Sequence, residues 1–399
     1  MLKKIVLPLV VIAIVLVVYF WWRSASATNG EASASLIPLL AGEDTAGYAR
    51  ATEPGAVVFP RDLGPHNDYL TEWWYYTGNL ETEDGRPFGF QLTFFRRALT
   101  PPSKDEAANL EEDDQSSPWR TNQVYLAHFT ISDVEGQAFY PSERFSRGAV
   151  ELSGAQAQPY RVWLEDWFAE EQSDGRVRLF AKDEDVSLDL LLTETLPPIL
   201  HGDGGLSPKG PEPGNASYYY SIIQQQASGT VGVQGMDYAV SGLAWKDHEY
   251  STSALSPGAT GWDWFSIQLD DGSGLMFFQI RRDEETGDGD LIDPASSGTF
   301  IFPDGSTKTL ADDDWQLEVL DHWTSPRSGA EYPAAWQITV PKLDLELVGR
   351  PLLADQELDV STTYWEGATV FEGQMEGEPI TGRGYVELTG YADKFSGRL

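Results

Sequence analysis

The feature that most restricts the fold of this chain is an internal repeat. Three blocks of sequence occur twice, in the same order along the chain. Each copy of the first block is rich in aromatic residues and precedes an Asp-Gly turn and an apolar run that ends in two arginines. A shared order of this kind predicts two copies of one structural unit. The paired blocks are 73–80 with 262–269, 164–167 with 320–323, and 240–247 with 380–387.

The repeated unit is predicted to be an antiparallel β-barrel. Apolar and polar residues alternate at period two in short runs, and Asp-Gly pairs that favour hairpin turns recur between the runs. The chain is also rich in aromatic residues, which favour pleated strands and line cavities for apolar ligands. We therefore predict an all-β protein of two tandem barrels packed together, over residues 57–250 and 251–399, with a shared apolar cavity.

The N-terminus is predicted to direct the chain across a membrane. Lys3 and Lys4 precede an unbroken apolar run at residues 5–22, which is close to the roughly 20 residues of a membrane-spanning helix. We interpret residues 1–27 as an apolar helix that is either an uncleaved signal anchor or a cleaved signal peptide. Residues 28–56 follow as a polar tether. Both alternatives make the body of the chain periplasmic or extracytoplasmic, either anchored to the cytoplasmic membrane or secreted.

The charge of the chain limits its partners. The formal net charge is −35, because 62 acidic residues outnumber 27 lysines and arginines. Such a surface repels the phosphates of nucleic acid, so no nucleic-acid partner is expected. A solvated acidic surface is the simplest interpretation, and specific binding of cations or basic partners is the alternative. The absence of cysteine excludes disulfides, thiol catalysis and cysteine-ligated zinc.

Several enzyme classes lack their usual motifs in this sequence. The chain has no Gly-x-Ser-x-Gly of serine hydrolases and no glycine-rich motif of nucleotide-binding proteins. It also has no His-Glu-x-x-His of zinc proteases. We therefore expect no cofactor and no bound metal ion.

Residues 66–76 hold the first candidate site residues. On a strand, Glu72, Trp74 and Tyr76 share one face, and His66 lies shortly before them. The functional interpretation is a carboxylate among aromatic walls, with its pKa raised by desolvation and with these four residues contacting the ligand. The alternative is that Glu72 is exposed and the aromatic residues fill the core.

Residues 244–250 form the densest group of ionisable side chains. On a regular strand Trp245, Asp247 and Glu249 point to one side, and His248 points to the other unless a bulge intervenes. Two neighbouring carboxyl groups beside a tryptophan can share a proton, which raises the pKa of one of them into the range of a general acid. We predict Asp247, His248 and Glu249 as catalytic residues. A solvated strand end with a lysine–aspartate pair is the alternative.

Tryptophans in both copies of the repeat extend the candidate site. Trp245, Trp262, Trp264 and Trp365 each lie within two residues of a carboxylate. Inward aromatic residues of a barrel more often fill the core than contact a ligand. Their repeated pairing with carboxylates favours ligand contact, so we include these four tryptophans in the predicted ligand-binding set.

Long motifs of the chain closely resemble those of the carotenoid 1,2-hydratase-like family, which includes exported proteins labelled predicted secreted hydrolases. The resemblance covers about residues 57–391 and implies two lipocalin-like barrels. In the best-understood enzymes of that family, water is added to a terminal double bond of an isoprenoid, and the matching motif implies Asp247 as the proton donor. Lys246 departs from the apolar residue that exported relatives often carry. The motifs lie at 65–80, 89–96, 127–129, 201–207, 216–221, 245–249, 261–265 and 384–391.

Three functions remain open from the sequence. In the first, Asp247 is kept protonated by apolar walls and by Glu249, and it donates a proton to a double bond of an apolar or isoprenoid-like ligand. Aromatic faces then stabilise the cation, and His248 or Glu72 orients water. In the second, the protein is a non-catalytic lipid carrier that serves an export system. The third is a secreted hydrolase, against which the missing nucleophile motif counts.

Overall fold

The computed structural model describes residues 45–102, 121–252, 258–283 and 291–392. These residues form an all-β protein whose helices are two short 3₁₀ turns, Arg61–Leu63 and Pro341–Leu343. Neither turn is long or apolar enough to cross a membrane. The predicted apolar helix at 1–27, and the predicted tether up to residue 44, lie outside the described residues.

A first sheet of thirteen antiparallel strands is built before residue 252. Along this sheet the strands follow the order fourth, third, second, first, thirteenth, twelfth and then ninth back to fifth, and the tenth and eleventh pair with the twelfth. The strands are β1 Thr71–Glu81, β2 Pro87–Ala98, β3 Gln123–Asp133, β4 Ala138–Arg147, β5 Ser153–Gln156, β6 Arg161–Leu164, β7 Trp167–Glu171, β8 Val177–Asp183, β9 Val186–Glu194, β10 Ile199–Leu200, β11 Leu206–Pro208, β12 Ala216–Val233 and β13 Met236–Ser251.

A second sheet of ten strands follows. The strands are β14 Ala259–Leu269, β15 Gly274–Arg282, β16 Ser297–Ile301, β17 Thr307–Ala311, β18 Gln316–Thr324, β19 Glu331–Val340, β20 Leu345–Pro351, β21 Glu357–Asp359, β22 Thr363–Met375 and β23 Glu378–Leu388. Each of the two sheets has the shape of a barrel or half-barrel.

The two sheets share one topology. The order β4-β3-β2-β1-β13-β12-β9-β8-β7 in the first corresponds strand by strand to β17-β16-β15-β14-β23-β22-β20-β19-β18 in the second. The second predicted block pair is wrong, because residues 164–167 span the turn between β6 and β7 whereas residues 320–323 lie within β18. The predicted duplication of the unit itself is confirmed. It holds at the level of single residues, because Tyr75 lies opposite Asp247 and Trp264 lies opposite Glu387, and the sequence repeat aligns these two pairs with each other.

The inner face of each sheet is filled by apolar side chains. Trp74, Phe90 and Trp167 are among the fully buried residues inside the first sheet, and Phe265 and Trp336 are among those inside the second. Complete burial of such a side chain stabilises the fold by about 1.5–3 kcal/mol. The two interiors are therefore packed cores.

One end of the first sheet is covered by the segment before β1. Ala51 and Val57 are buried and pack in one cluster with Tyr218 and Tyr220 of β12. The end of the predicted tether thus belongs to the folded body, because its small apolar side chains cover tyrosine rings that would otherwise face water.

The outer faces of the two sheets meet in a second apolar layer, which we call the sheet interface. Tyr75, Tyr219 and Trp245 of the first sheet cluster there with Trp264 and Tyr385 of the second. As a result, β1 is buried on both faces, and every residue from 74 to 80 is inaccessible to solvent or nearly so.

Candidate functional site

Asp247 lies in the sheet interface. On β13, Trp245, Asp247 and Glu249 lie on one side, as predicted from the period of a strand. That side faces the second sheet, where Trp245 packs with Trp264. Only 3% of Asp247 is exposed. The alternative of a solvated strand end is therefore wrong, because the second sheet covers this face.

Three side chains of the first sheet hold the Asp247 carboxyl group. The Tyr219 hydroxyl donates to Oδ2 at 2.7 Å, and Trp245 Nε1 donates to Oδ1 at 2.6 Å. The Ser221 hydroxyl also contacts Oδ1. Burial, with the nearby charge of Glu249, raises the pKa of Asp247 to about 7 although the three donors act to lower it. Both protonation states of Asp247 are therefore populated near neutral pH.

A neutral histidine stands behind Ser221. His201 Nε2 lies 2.6 Å from the Ser221 hydroxyl, and His201 Nδ1 lies 2.9 Å from the hydroxyl of Thr299 in the second sheet. Burial lowers the pKa of His201 to about 3. When Asp247 is protonated, its proton can therefore be accepted by Ser221, whose own hydrogen then points to His201.

The second sheet adds two carboxyl groups from the equivalent strands. Glu387 of β23 accepts a hydrogen bond from Trp262 Nε1 at 3.1 Å, and burial together with the charges of Asp247 and Glu249 raises its pKa to about 7. Glu366 of β22 accepts from the Tyr75 hydroxyl at 3.1 Å and from Gln91 Nε2 at 3.2 Å. Burial and the charge of Glu387 raise the pKa of Glu366 well above its ordinary value.

Four acidic side chains thus meet in the sheet interface, and we call Asp247, Glu249, Glu366 and Glu387 the carboxyl cluster. A cation borders it, since Lys209 Nζ lies 3.1 Å from Glu249 Oε1 and 4.0 Å from the centre of the Phe278 ring. Aromatic side chains form the walls: Tyr75, Tyr219, Trp245, Trp262, Trp264 and Tyr364. Protonated carboxyl groups can donate protons, and the faces of the surrounding aromatic rings can stabilise a cation.

His248 lies on the opposite side of β13 from Asp247. The register between β1 and β13 is continuous through this region, so no bulge turns His248 toward the interface. Its Nε2 lies 2.8 Å from Glu72 Oε1, and His66 Nδ1 lies 2.7 Å from the same oxygen. The predicted catalytic set is therefore divided, with Asp247 and Glu249 on one face and His248 on the other.

Glu72 is the centre of a buried network inside the first sheet. Arg96 Nε donates to Glu72 Oε2 at 2.8 Å, and Asp62 Oδ1 lies 3.2 Å from His66 Nε2. Although burial acts to raise it, the pKa of Glu72 is held below its ordinary value by Arg96 and the two imidazoles. Glu72 is neither exposed nor a carboxyl group with a raised pKa, so both predictions for its side chain are wrong. The alternative prediction that the neighbouring aromatic residues fill the core is confirmed for Trp74 and Tyr76.

The same network contains the described residues best placed to bind a metal. The ligand-type atoms of His66, Glu72 and His248 lie within 4.8 Å of one another. However, these atoms contact one another at hydrogen-bond distances, and the second oxygen of Glu72 is bound by the guanidinium of Arg96. We therefore interpret the group as an ion-pair network that fixes the segment before β1 to β13.

The predicted ligand-binding residues fall into two groups. Trp245, Trp262 and Trp264 border the carboxyl cluster, where Trp264 Nε1 donates to the Tyr219 hydroxyl at 3.0 Å. The others lie inside the sheets. Trp365 is part of the second core and donates to the Ala354 carbonyl at 2.9 Å. His66, Glu72, Trp74 and Tyr76 lie at the inner face of the first sheet.

Sequence reasoning missed several residues of the site. Glu366 follows the predicted Trp365 in sequence, and its side chain points to the opposite face of β22. The sequence prediction took Trp365 as the residue that faces the site, whereas the structure places Glu366 there. Glu387 was available as the repeat partner of Asp247. Tyr219 and Ser221 lie within the family motif at 216–221, but a run of tyrosine and serine on a strand is equally typical of a core.

A groove lies at the other end of the sheet interface. It has a volume of about 580 Å³ and is lined by residues such as Asn79, Leu243, Gln268, Phe371 and Arg383. Asn79 is four residues beyond Tyr75 on β1, which corresponds to roughly 13 Å. Residues of both sheets line the groove, as expected for a shared cavity. The lining is not purely apolar, because it mixes apolar and charged side chains, and it does not include Asp247.

Comparisons with known proteins agree with this architecture. A protein assigned as AttH from Nitrosomonas europaea is 37% identical, with a TM-score of 0.72 over 86% of this chain and 99% of that chain. Kievitone hydratase from Nectria haematococca is 13% identical and shares the fold, with a TM-score of 0.62 over 86% of this chain and 96% of that chain. No curated protein sequence matches. The AttH-like family model matches residues 50–391, and the chain therefore belongs to the AttH-like family.

Proposed function

We propose that the protein binds an apolar, isoprenoid-like ligand between its two sheets and adds water to a carbon–carbon double bond of that ligand. The observation that carries the proposal is Asp247, a buried carboxyl group with a pKa of about 7 among aromatic side chains. A general acid works best when its pKa is near the ambient pH. A hydratase of known structure has the same fold, which agrees with this class of reaction.

The reaction begins with proton transfer from Asp247 to one carbon of the double bond. The π electrons form the new carbon–hydrogen bond, and the other carbon becomes a cation, which the rings of Trp245 and Trp264 stabilise. Water bonds to that carbon and loses a proton to Glu387, whose pKa is also about 7. Return of this proton to Asp247 completes the addition of one water molecule.

We also propose that the two sheets act as lipocalin-like barrels that support the site from either side. Their interiors are filled by apolar side chains, whereas the carboxyl groups with raised pKa values lie between them. In this arrangement the ligand occupies the sheet interface and not a barrel interior.

The test is Asp247→Asn, with Asp133→Asn as the matched control. Asp133 is a buried aspartate of β3 that pairs with Arg86 at 2.7 Å, away from the carboxyl cluster. Purified full-length protein is incubated with isoprenoid alkenes in isotopically labelled water, and the product is examined by mass spectrometry. We expect the wild type and Asp133→Asn to incorporate labelled oxygen, and Asp247→Asn to be slower by about 10²–10⁴-fold. Full turnover by Asp247→Asn would refute the assignment.

A second candidate is a non-catalytic lipid carrier in contact with an export system. The groove favours it, because its volume of about 580 Å³ is in the range of ligand sites and its lining lacks the carboxyl cluster. We further propose that the protein works outside the cytoplasm, on the basis of Lys3, Lys4 and the apolar run 5–22. Native mass spectrometry separates the candidates: an unaltered bound lipid supports the carrier, and a hydrated product supports the enzyme.

A further inference from the structure

Three buried polar side chains lie between the carboxyl cluster and the groove. Thr77 and Asn79 follow Tyr75 on the face of β1 that meets the second sheet, and Gln91 lies opposite Thr77 on β2. No more than 3% of any of the three residues is exposed. Gln91 contacts Glu366 of the carboxyl cluster, and Asn79 lines the groove. The three side chains therefore form a continuous row from the carboxyl cluster to the groove.

Each of these side chains has one polar atom without a hydrogen-bond partner among the described residues: Thr77 Oγ1, Asn79 Oδ1 and Gln91 Oε1. The nitrogen atoms of the two amides already have partners. Asn79 Nδ2 donates to the Gly384 carbonyl at 3.0 Å, and Gln91 Nε2 donates to Thr93 Oγ1 at 2.9 Å and to Glu366 Oε1 at 3.2 Å. The two amide oxygens are therefore acceptors that need donors, and the Thr77 hydroxyl has a hydrogen to give.

One shared water molecule would satisfy all three atoms. It can accept the hydrogen of Thr77 and donate its own two hydrogens to Asn79 and Gln91, which makes about three bonds, the typical number for a buried water. Buried polar groups without any partner are costly and rare. Three such groups side by side on adjacent strands are therefore better explained by one shared water molecule than by three separate unsatisfied groups.

We propose that Thr77, Asn79 and Gln91 bind an ordered water molecule, and that this site passes water from the groove to the carboxyl cluster. The groove has room for several water molecules, since its volume is about 580 Å³ and one water takes about 30 Å³ in the liquid. At the other end, Gln91 bridges the site to Glu366. Delivery rests on the proposed hydration reaction, which consumes one water per turnover, whereas binding of the water does not.

A crystal structure of the full-length protein that resolves ordered solvent tests the binding. We expect electron density about 2.7–3.2 Å from all three atoms. In Thr77→Val, which keeps the shape and removes the hydroxyl, we expect weaker density and a lower Tm. Thr130→Val is the control, because the Thr130 hydroxyl already contacts Tyr385 at 3.5 Å. Absence of density in the wild type overturns the proposal. A higher Tm for Thr77→Val also overturns it, because removal of an unpartnered hydroxyl from a dry site is favourable.

Kinetics test the delivery. We expect Thr77→Val to lower kcat for incorporation of labelled water by roughly tenfold, equivalent to about 1.4 kcal/mol, with KM for the alkene unchanged. Loss of the density with an unchanged kcat refutes delivery. Asp247→Asn should slow turnover by about 10²–10⁴-fold and keep the density, so failure of the proposed reaction and failure of the water site give different results.

Discussion

Asp247 obtains its acid–base properties from a strand that is covered on both sides. One face of β13 packs on the core of the first sheet, and the other face packs on the second sheet. The Asp247 carboxyl group is therefore desolvated, although its neighbours in the sequence are ionisable residues. Three donors keep it oriented. Desolvation outweighs these donors and moves the pKa upward, which makes the group neutral over most of the acidic range.

This raised pKa predicts a specific dependence of stability on pH. The pKa of Asp247 is about 7 in the folded state and about 3.9 in an unfolded chain. Its neutral form therefore supports the fold fully below about pH 3.9, and this contribution is lost as the pH rises through about 7.

We expect the wild type to lose up to roughly 4 kcal/mol of unfolding free energy from this one group between about pH 4 and pH 8. Asp247→Asn should lack that loss. Urea unfolding of both proteins across this range measures the difference. Parallel pH profiles for the two proteins would contradict the prediction, and Asp133→Asn is the control.

Single residues were predicted as far as strand periodicity allows. Trp245, Asp247 and Glu249 share a face as predicted, and so do Glu72, Trp74 and Tyr76. The period does not say which face meets another sheet, because both faces of β1 and of the end of β13 are buried and the usual contrast between polar and apolar sides is absent. His248 and Trp365 were assigned to the site for this reason.

At the scale of elements, the site depends on how closely β23 approaches β14. Gly384 lies opposite Ile267, and a Cβ at this glycine would collide with the carbonyl oxygen of Ser266. The same pair of strands carries Trp264 and Glu387 into the interface. The sequence repeat aligns these two strands with β1 and β13, and the structure shows that β1 and β13 pair in the same way.

Gly384→Ala should therefore force β23 away from β14. We expect a loss of about 1–3 kcal/mol, the usual cost of overpacking, and a change in tryptophan fluorescence because Trp264 shifts with its strand. Glu378→Ala, at an exposed position of the same strand, is the matched control and should change stability by less than about 0.5 kcal/mol. Thermal unfolding measures both. Equal stability of the two variants would show that the strand pair adapts without cost.

At the scale of the whole molecule, hydrogen bonds between the sheets join the two halves into one body. These bonds are buried, and each would expose a polar group inside an apolar layer if the sheets separated. They join Tyr75 to Glu366, Trp264 to Tyr219, His201 to Thr299, His128 to Tyr364, and Asn79 to Gly384.

We therefore expect the two sheets to unfold together despite their separate cores. Differential scanning calorimetry should show a single transition, with equal calorimetric and van't Hoff enthalpies. Tyrosine and tryptophan signals should change at the same temperature. Two resolved transitions would mean that the sheets are independent domains and that the interface adds little stability.

The hydrogen bonds of Tyr75 and Trp264 between the two sheets are reciprocal. The two residues are equivalent in the repeat, and each reaches β12 or β22, which are equivalent strands of the opposite half. Such a reciprocal contact is the pattern of an isologous dimer. Two separate copies of one sheet could form such an interface only at sufficient concentration, whereas in this chain the covalent link between the halves makes it independent of concentration.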